Sequence, residues 1–399
     1  MWKYIKIIIA LSLIVGLFVF SQLPDISKTE KKELSTGFKF TQVSLPVAQI
    51  SHQKDRPVHP NYRVNSSWLT SVGASVAFAD IDGNGLSDDI VYVDTRSQEI
   101  IICSAPNTQK RYSLITLFSK EDDTDFVSPM GILPGDFNED GITDIFAYFI
   151  GRAPIIYLQN SKKRMTFSKM SITSKSSVWN TNAATIADVD GDGHFDIIIG
   201  NYFPDNQYIY DPSNKENVFM MTSMAYALNG GINRVLLWQK PDKTERVKFK
   251  EVFPFEDQES KAWTLAVGAI DLTGDMLPEL YVANDFGPDY LYKNISTPGN
   301  VRFKRVNGNR SFLMPKSKTL GHDSFKGMGV DFSDLNGDGI FDIYVSNIAA
   351  EYSLQESHFM FVSQAKGAWK KHAPFKDNSE KLGLSRGGWG WDTRFGDFD

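Results

Sequence analysis

Five short loops in this chain alternate acidic residues with glycine, and each ends in an Asp or Glu that opens an apolar run. The fullest is Asp188-Val189-Asp190-Gly191-Asp192-Gly193-His194-Phe195-Asp196, followed by Ile197-Ile198-Ile199. Its sisters run Asp80 to Asp88, Asp136 to Asp144 and Asp334 to Asp342, with a degraded copy from Asp271 to Glu279. Side-chain oxygens at positions 1, 3, 5 and 9, with a glycine at position 6 to fold the backbone back, form the donor set that a hard cation such as Ca²⁺ takes. A backbone carbonyl at position 7 completes it. An EF-hand would also need a bidentate Glu at position 12 and a helix on either side. Position 12 is occupied by Val91, Ala147, Ile199, Val282 and Val345. A solvated acidic hairpin that holds nothing accounts for one such loop but poorly for five in matching register.

The elements around the loops must be strands. Runs such as Ile197-Ile198-Ile199 and Ile343-Tyr344-Val345 are β-branched and aromatic, which favours pleated sheet over helix. First loop positions fall at 80, 136, 188, 271, 334 and 397, so steps of 56, 52, 83, 63 and 63 residues separate them. An aromatic precedes each loop (Trp68, Phe126, Trp179, Trp263, Phe325, Trp389), and two further strand patterns follow it. One is Ile156 to Asn160, Leu291 to Asn294 and Phe359 to Val362; the other is Thr166 to Lys169, Lys248 to Glu251 and Arg302 to Arg305. Four short strands per period of about 40 to 60 residues predict β-propeller blades. The long step carries an insertion, Asp205 to Gly231, with a Met cluster (Met220, Met221, Met224) that reads as packing filler or a contact surface.

These residues resemble the FG-GAP/VCBS repeat proteins, among them the propeller heads of integrin α-subunits. The phrases Leu280 to Gly287 and Gly327 to Gly339 are similar to the propeller of the cartilage acidic protein/UnbV (ASPIC) branch. The resemblance spans about residues 38 to 399 and implies an all-β propeller, seven-bladed when complete, with Ca²⁺ in the loops. It implies as ligands Asp80, Asp82, Asn84, Leu86 and Asp88; Asp136, Asn138, Asp140, Ile142 and Asp144; Asp188, Asp190, Asp192, His194 and Asp196; and Asp334, Asn336, Asp338, Ile340 and Asp342. The fourth loop departs from the pattern: Met276 replaces the glycine, leaving Asp271, Thr273, Asp275 and Glu279 as a weaker set.

Composition bounds the partners. At 399 residues and net charge −6, the acidity is local to the loops, and five bound Ca²⁺ would turn the balance to about +4. No basic stripe suggests nucleic acid. Cys103 is the only cysteine, so no intrachain disulfide forms, and metal ions would serve as staples instead. Residues 1–23 read as a signal peptide or an uncleaved N-terminal anchor, since Lys3 and Lys6 precede the apolar run Ile7 to Phe20. Residues 7–23 would be the membrane tether. Residues 24–37 read as a charged linker, and Phe38 to Val43 as a first strand. A sixth loop starts at Asp397 and stops at Asp399, so the chain reads as a fragment of a propeller open at its junction.

Catalytic signatures are sparse. Gly383-Leu384-Ser385-Arg386-Gly387 matches G-x-S-x-G, but a glycine-rich approach to the next blade surrounds it rather than a strand and helix. His322 and Asp323 read as turn residues. Two functions are expected on these grounds. The chain is an exported, calcium-stabilised, non-catalytic propeller for protein or carbohydrate binding or adhesion, or a polysaccharide lyase or other carbohydrate-active enzyme with catalytic groups on the propeller.

Overall fold

The computed structural model describes residues 2–21, 27–46, 56–118, 126–161, 163–173, 177–243, 245–312, 314–365, 367, 369 and 371–396. The chain divides into two units, Met1–Leu45 and Pro46–Asp399.

The first unit holds helices α1 (Trp2–Ser21) and α2 (Lys28–Ser35). Among the described residues no helix is long and apolar enough to cross a membrane. Within the charged linker, Ser27 caps α2 by accepting a hydrogen bond from the Glu30 amide at 3.1 Å. Phe38 to Val43 forms no strand and belongs to this first unit, contrary to its expected place in the sheets. Its aromatics Phe38 and Phe40 are exposed and stack on each other at 6.4 Å.

Among the described residues, the second unit contains five four-stranded antiparallel sheets, each a meander in chain order. The first comprises β1 (Ser75–Ala79), β2 (Asp89–Asp94), β3 (Glu99–Ser104) and β4 (Ile115–Phe118). The second comprises β5 (Ser128–Gly135), β6 (Asp144–Ile150), β7 (Ile155–Gln159) and β8 (Phe167–Ser171). The third comprises β9 (Thr181–Ala187), β10 (Asp196–Asn201), β11 (Arg234–Trp238) and β12 (Phe249–Val252). The fourth comprises β13 (Thr264–Ile270), β14 (Glu279–Asn284), β15 (Tyr290–Asn294) and β16 (Phe303–Val306). The fifth comprises β17 (Gly329–Ser333), β18 (Asp342–Ser346), β20 (Phe359–Ser363) and β21 (Phe375–Asp377). Short β19 (Ile348–Ala349) pairs with β22 (Gly388–Trp389). This all-β, propeller-like arrangement agrees with the four-strand period.

Each second strand is buried on both faces, which is why β2, β10 and β14 read as continuous apolar runs rather than alternating ones. Successive sheets share cores: Val91 and Ile102 meet Ile145 and Phe149, and Phe146 and Leu158 meet Ile197 and Leu236. Inner strands approach closely; a Cβ on Gly268 of β13 would stand 2.6 Å from the Phe332 ring of β17. On β1, Val76 and Phe78 stay exposed while Ala77 and Ala79 pack toward the second sheet. A separate cluster covers one end of the sheets, where Tyr62 and Leu69 pack against Tyr202, Phe203 and Tyr210.

Candidate metal centres and the opposite face

Each acidic loop joins the first and second strands of its sheet. Strand register aligns the five loops independently of their sequence. Ala79 pairs with Asp89, Gly135 with Asp144, Ala187 with Asp196, Ile270 with Glu279 and Ser333 with Asp342. The closing carboxylate of the first loop is therefore Asp89, not Asp88. That loop is one residue longer, and Asp89-Ile90 aligns with Asp196-Ile197.

In the third loop, backbone amides curl around the acid side chains. Asp188 Oδ1 accepts from Gly191 and Asp192 at 2.8 and 3.1 Å, and its Oδ2 accepts from Gly193 at 2.8 Å. Asp196 is fully buried between the Val189 amide (3.0 Å) and the Trp238 amide (2.8 Å). Carboxylate oxygens of Asp188, Asp190 and Asp196 lie within 4.8 Å of one another, close enough to share one cation at the 2.3–2.6 Å distances of calcium. Asp80, Asp82 and Asp89 form the second such group among the described residues. Burial pushes Asp144, Asp196 and Glu279 up to about 7, and the neighbouring loop carboxylates add to the rise. Asp190 and Asp342 rise for the same reason. A cation seated among them would favour their ionised form.

Loops two and five repeat this fold. Asp136 Oδ2 accepts from Gly141 at 2.8 Å and Asp334 Oδ2 from Gly339 at 2.7 Å, while Asn138 and Asn336 turn their carbonyl oxygens onto Asp140 and Asp338 amides. The fourth loop keeps it too, despite lacking the glycine: Met276 adopts φ +68° and donates to Asp271 Oδ2 at 2.8 Å. Thr273 Oγ1 and Glu279 Oε1, at positions 3 and 9, are buried there with no partner. Two orphaned oxygens at ligand positions fit a cation-binding loop.

The His194 side chain ties its own loop to the second one. Its Nδ1 meets the Glu139 carboxylate of the second loop, and its ring stacks on Trp238 at 3.7 Å and 10°. Other ties run between neighbouring loops: Gln159 Nε2 donates to Ile81 O and Thr143 O, and Asn294 Nδ2 donates to Val189 O and Pro278 O. A loop that loses its order would thus loosen the sheet beside it. Asp397 to Asp399 lie outside the described residues.

A family model for the FG-GAP-like repeat matches residues 136–199 and 271–345. This chain carries FG-GAP-like repeats. The matched segments contain loops two to five and leave out the loop at Asp80. No curated protein matches the chain by sequence. Among solved structures it is similar to the V. cholerae biofilm matrix protein Bap1, with 13% identity, a TM-score of 0.38, and coverage of 82% of this chain and 40% of that one. It is also similar to the exotype rhamnogalacturonan lyase YesX, with 13% identity, a TM-score of 0.32, and coverage of 74% and 59%. The Bacillus licheniformis rhamnogalacturonan lyase PL11 stands at 12% identity, a TM-score of 0.32, and coverage of 68% and 52%. The chain spans between two fifths and three fifths of the length of these three proteins.

The other end of the FG-GAP-like repeats holds a different chemistry. In an antiparallel meander, the connections between first and second strands and between third and fourth emerge at one end. Those between second and third strands, and those entering the next sheet, emerge at the other. A cavity of about 360 Å³ opens at that second end, lined by Trp68, the Met cluster, Phe286, Met328 and the stacked pair Trp389 and Trp391 (5.8 Å, 15°). The insertion's methionines therefore line a recess as well as filling space. At its base Lys326 Nζ donates to Met224 O at 2.8 Å and sits 5.6 Å over the Phe286 ring. Burial pushes the nearby Asp285 up to about 6, and Tyr202 donates to its Oδ2. Behind it, Asp289 and Asp323 are buried side by side and raised by desolvation, with Tyr281 donating to Asp289 at 2.8 Å. This acid group was missed in the sequence, although Asn284-Asp285-Phe286-Gly287-Pro288-Asp289 is a polar interruption directly after a buried strand. His322 does close a turn, its amide donating to Thr319 O at 3.0 Å, but Asp323 is buried. Ser385 is buried, donates to Glu380 at 3.0 Å and is followed by no helix, so it is no nucleophile elbow.

Proposed function

We propose that this chain is an exported, calcium-stabilised binding propeller whose loops at one end hold Ca²⁺ and whose ligand docks at the opposite end. The observation that carries this reading is the separation of the two chemistries. Clustered, partly orphaned oxygens lie at one end, and an aromatic and methionine-lined recess with one buried ammonium lies at the other. The loop residues Asp188, Asp190, Asp192 and Asp196, with the His194 carbonyl, would hold a cation as charge-neutralising staple. Equivalent residues would do so in the second and fifth loops, and Asp271, Thr273, Asp275 and Glu279 more weakly in the fourth. When bound, calcium supplies only positive charge and fixed geometry. The recess suits a glycan, whose apolar ring faces pack on Trp389 and Trp391, or an apolar side chain of a protein ligand. The N-terminal apolar segment supports export.

The alternative is a polysaccharide lyase. It would draw on Lys326 and Asp285, but Lys326 is engaged with backbone carbonyls, and Tyr202 is held well above its ordinary value by burial. A glycan array with intact protein and with Trp389→Ala tests the reading. Binding that is lost in the variant while calcium binding is retained supports it. Binding indifferent to Trp389→Ala contradicts it, and release of unsaturated sugar from an acidic polysaccharide would favour the lyase.

A further inference from the structure

The first acidic loop differs from its four sisters in what faces its carboxylates. Arg111, from the β3–β4 connection at the same end of the sheet, reaches into it. Its Nη1 and Nη2 fork onto Asp88 at 2.8 and 2.7 Å, its Nε meets Asp82 Oδ2, and Nη2 also meets Asp89 Oδ1. One guanidinium thus joins three carboxylates, the bidentate geometry for which arginine is suited. Tyr112 donates to the same Asp89 Oδ1 at 2.6 Å, and the Ile81 and Asp82 amides fill Oδ2 at 2.8 and 3.0 Å. Asp89 thus accepts from four donors, one of them charged, where Asp196 of the third loop accepts from two backbone amides. A second cation, Arg164, lies over Gly83, where a Cβ would stand 2.1 Å from Nη1. Among the described residues, no Lys or Arg pairs with a ligand-position carboxylate of the other four loops.

We propose that Arg111 is the resident cation of the first loop, tethered by the chain itself, so that this hairpin is held without a divalent ion while its sisters depend on one. The guanidinium takes Asp82 and Asp89, the two carboxylates that a metal would share with Asp80. The extra residue that inserts Asp88 gives the fork its third acidic partner, which accounts for the longer loop. The first sheet, Ser75–Phe118, then stays ordered when calcium is scarce.

The contrast between loops rests on the calcium reading above, and the test separates the two. Calcium stoichiometry is measured by calorimetry on the full chain, on Asp188→Asn and on Asp80→Asn; Asp80 does not touch Arg111. The expected result is one ion fewer for Asp188→Asn and an unchanged count for Asp80→Asn. A count reduced by one in Asp80→Asn overturns the proposal. Arg111→Gln is then melted in EDTA and in calcium. It is expected to melt lower than the parent in EDTA and to recover most of the loss on adding calcium, which can enter the vacated fork. Should no variant bind calcium, the calcium reading fails and Arg111 is judged by the EDTA melt alone. An unchanged melting temperature there overturns its role.

Discussion

Removing calcium should lower the melting temperature by an amount the structure allows one to work out. Three loops, closed by Asp144, Asp196 and Asp342, have full donor sets, and among the described residues no Lys or Arg pairs with their ligand-position carboxylates. A metal that binds only the folded state adds RT ln(1 + [Ca²⁺]/Kd), about 2.7 kcal/mol per loop at a hundredfold excess over Kd. Three loops then contribute roughly 8 kcal/mol. The sheet unit, Pro46–Asp399, has about 350 residues, and at about 2.1 cal/mol/K per residue its unfolding entropy is about 0.7 kcal/mol/K. The expected drop is therefore on the order of 11 °C. Scanning calorimetry in millimolar calcium and in EDTA measures it, with magnesium as a control for ionic strength. A drop of a degree or less would show that the clustered carboxylates are relieved by protonation or by water, and the staple argument would fail.

Three further outcomes follow from particular residues. Asp192→Ala should cost more calcium affinity than Asp275→Ala, because Met276 must hold a left-handed φ of +68° in the fourth loop; equal calorimetric losses would overturn the ranking. Met276→Gly removes that strain of about 1 kcal/mol and should tighten calcium binding at the fourth loop, with an unchanged titration as the contrary result. In EDTA, the melting temperature should fall as pH rises from 5 to 8. Asp144, Asp196 and Glu279 are raised to about 7, so the folded state binds protons that the unfolded chain releases near pH 4, and that stabilisation is lost as pH passes 7. The stabilisation added by calcium should grow over the same range, since the ion requires the ionised carboxylates. A metal-free melting temperature that is flat or rising would refute this.

Much of the sheet unit was legible because its signals are local. An acidic, glycine-containing loop followed by an apolar run fixes a hairpin, and the patterns Leu291 to Asn294 and Arg302 to Arg305 follow at hairpin distance. What escaped were groups whose meaning comes from distant partners. Counting from Asp80 selects Asp88, but strand pairing selects Asp89, and the dipeptide Asp89-Ile90 held that information. Arg111 lies about twenty residues past its loop and joins it only because β3 returns the chain to the same end. His194 likewise takes its contacts from Trp238, on the third strand, and from Glu139, in the loop of another sheet. Phe38 to Val43 has the alternation of a strand, but alternation alone does not make one, and Phe38 and Phe40 stack on each other instead.

The central claim, that these loops are calcium sites, is tested most directly by diffraction at a wavelength giving calcium an anomalous signal. Crystals grown in calcium should show peaks inside the loops at Asp136, Asp188 and Asp334, each about 2.3–2.6 Å from the carboxylates at positions 1, 3, 5 and 9 that its sequence supplies. At Asp188 the peak should also touch the His194 carbonyl. Ordered loops without peaks at saturating calcium would contradict the account.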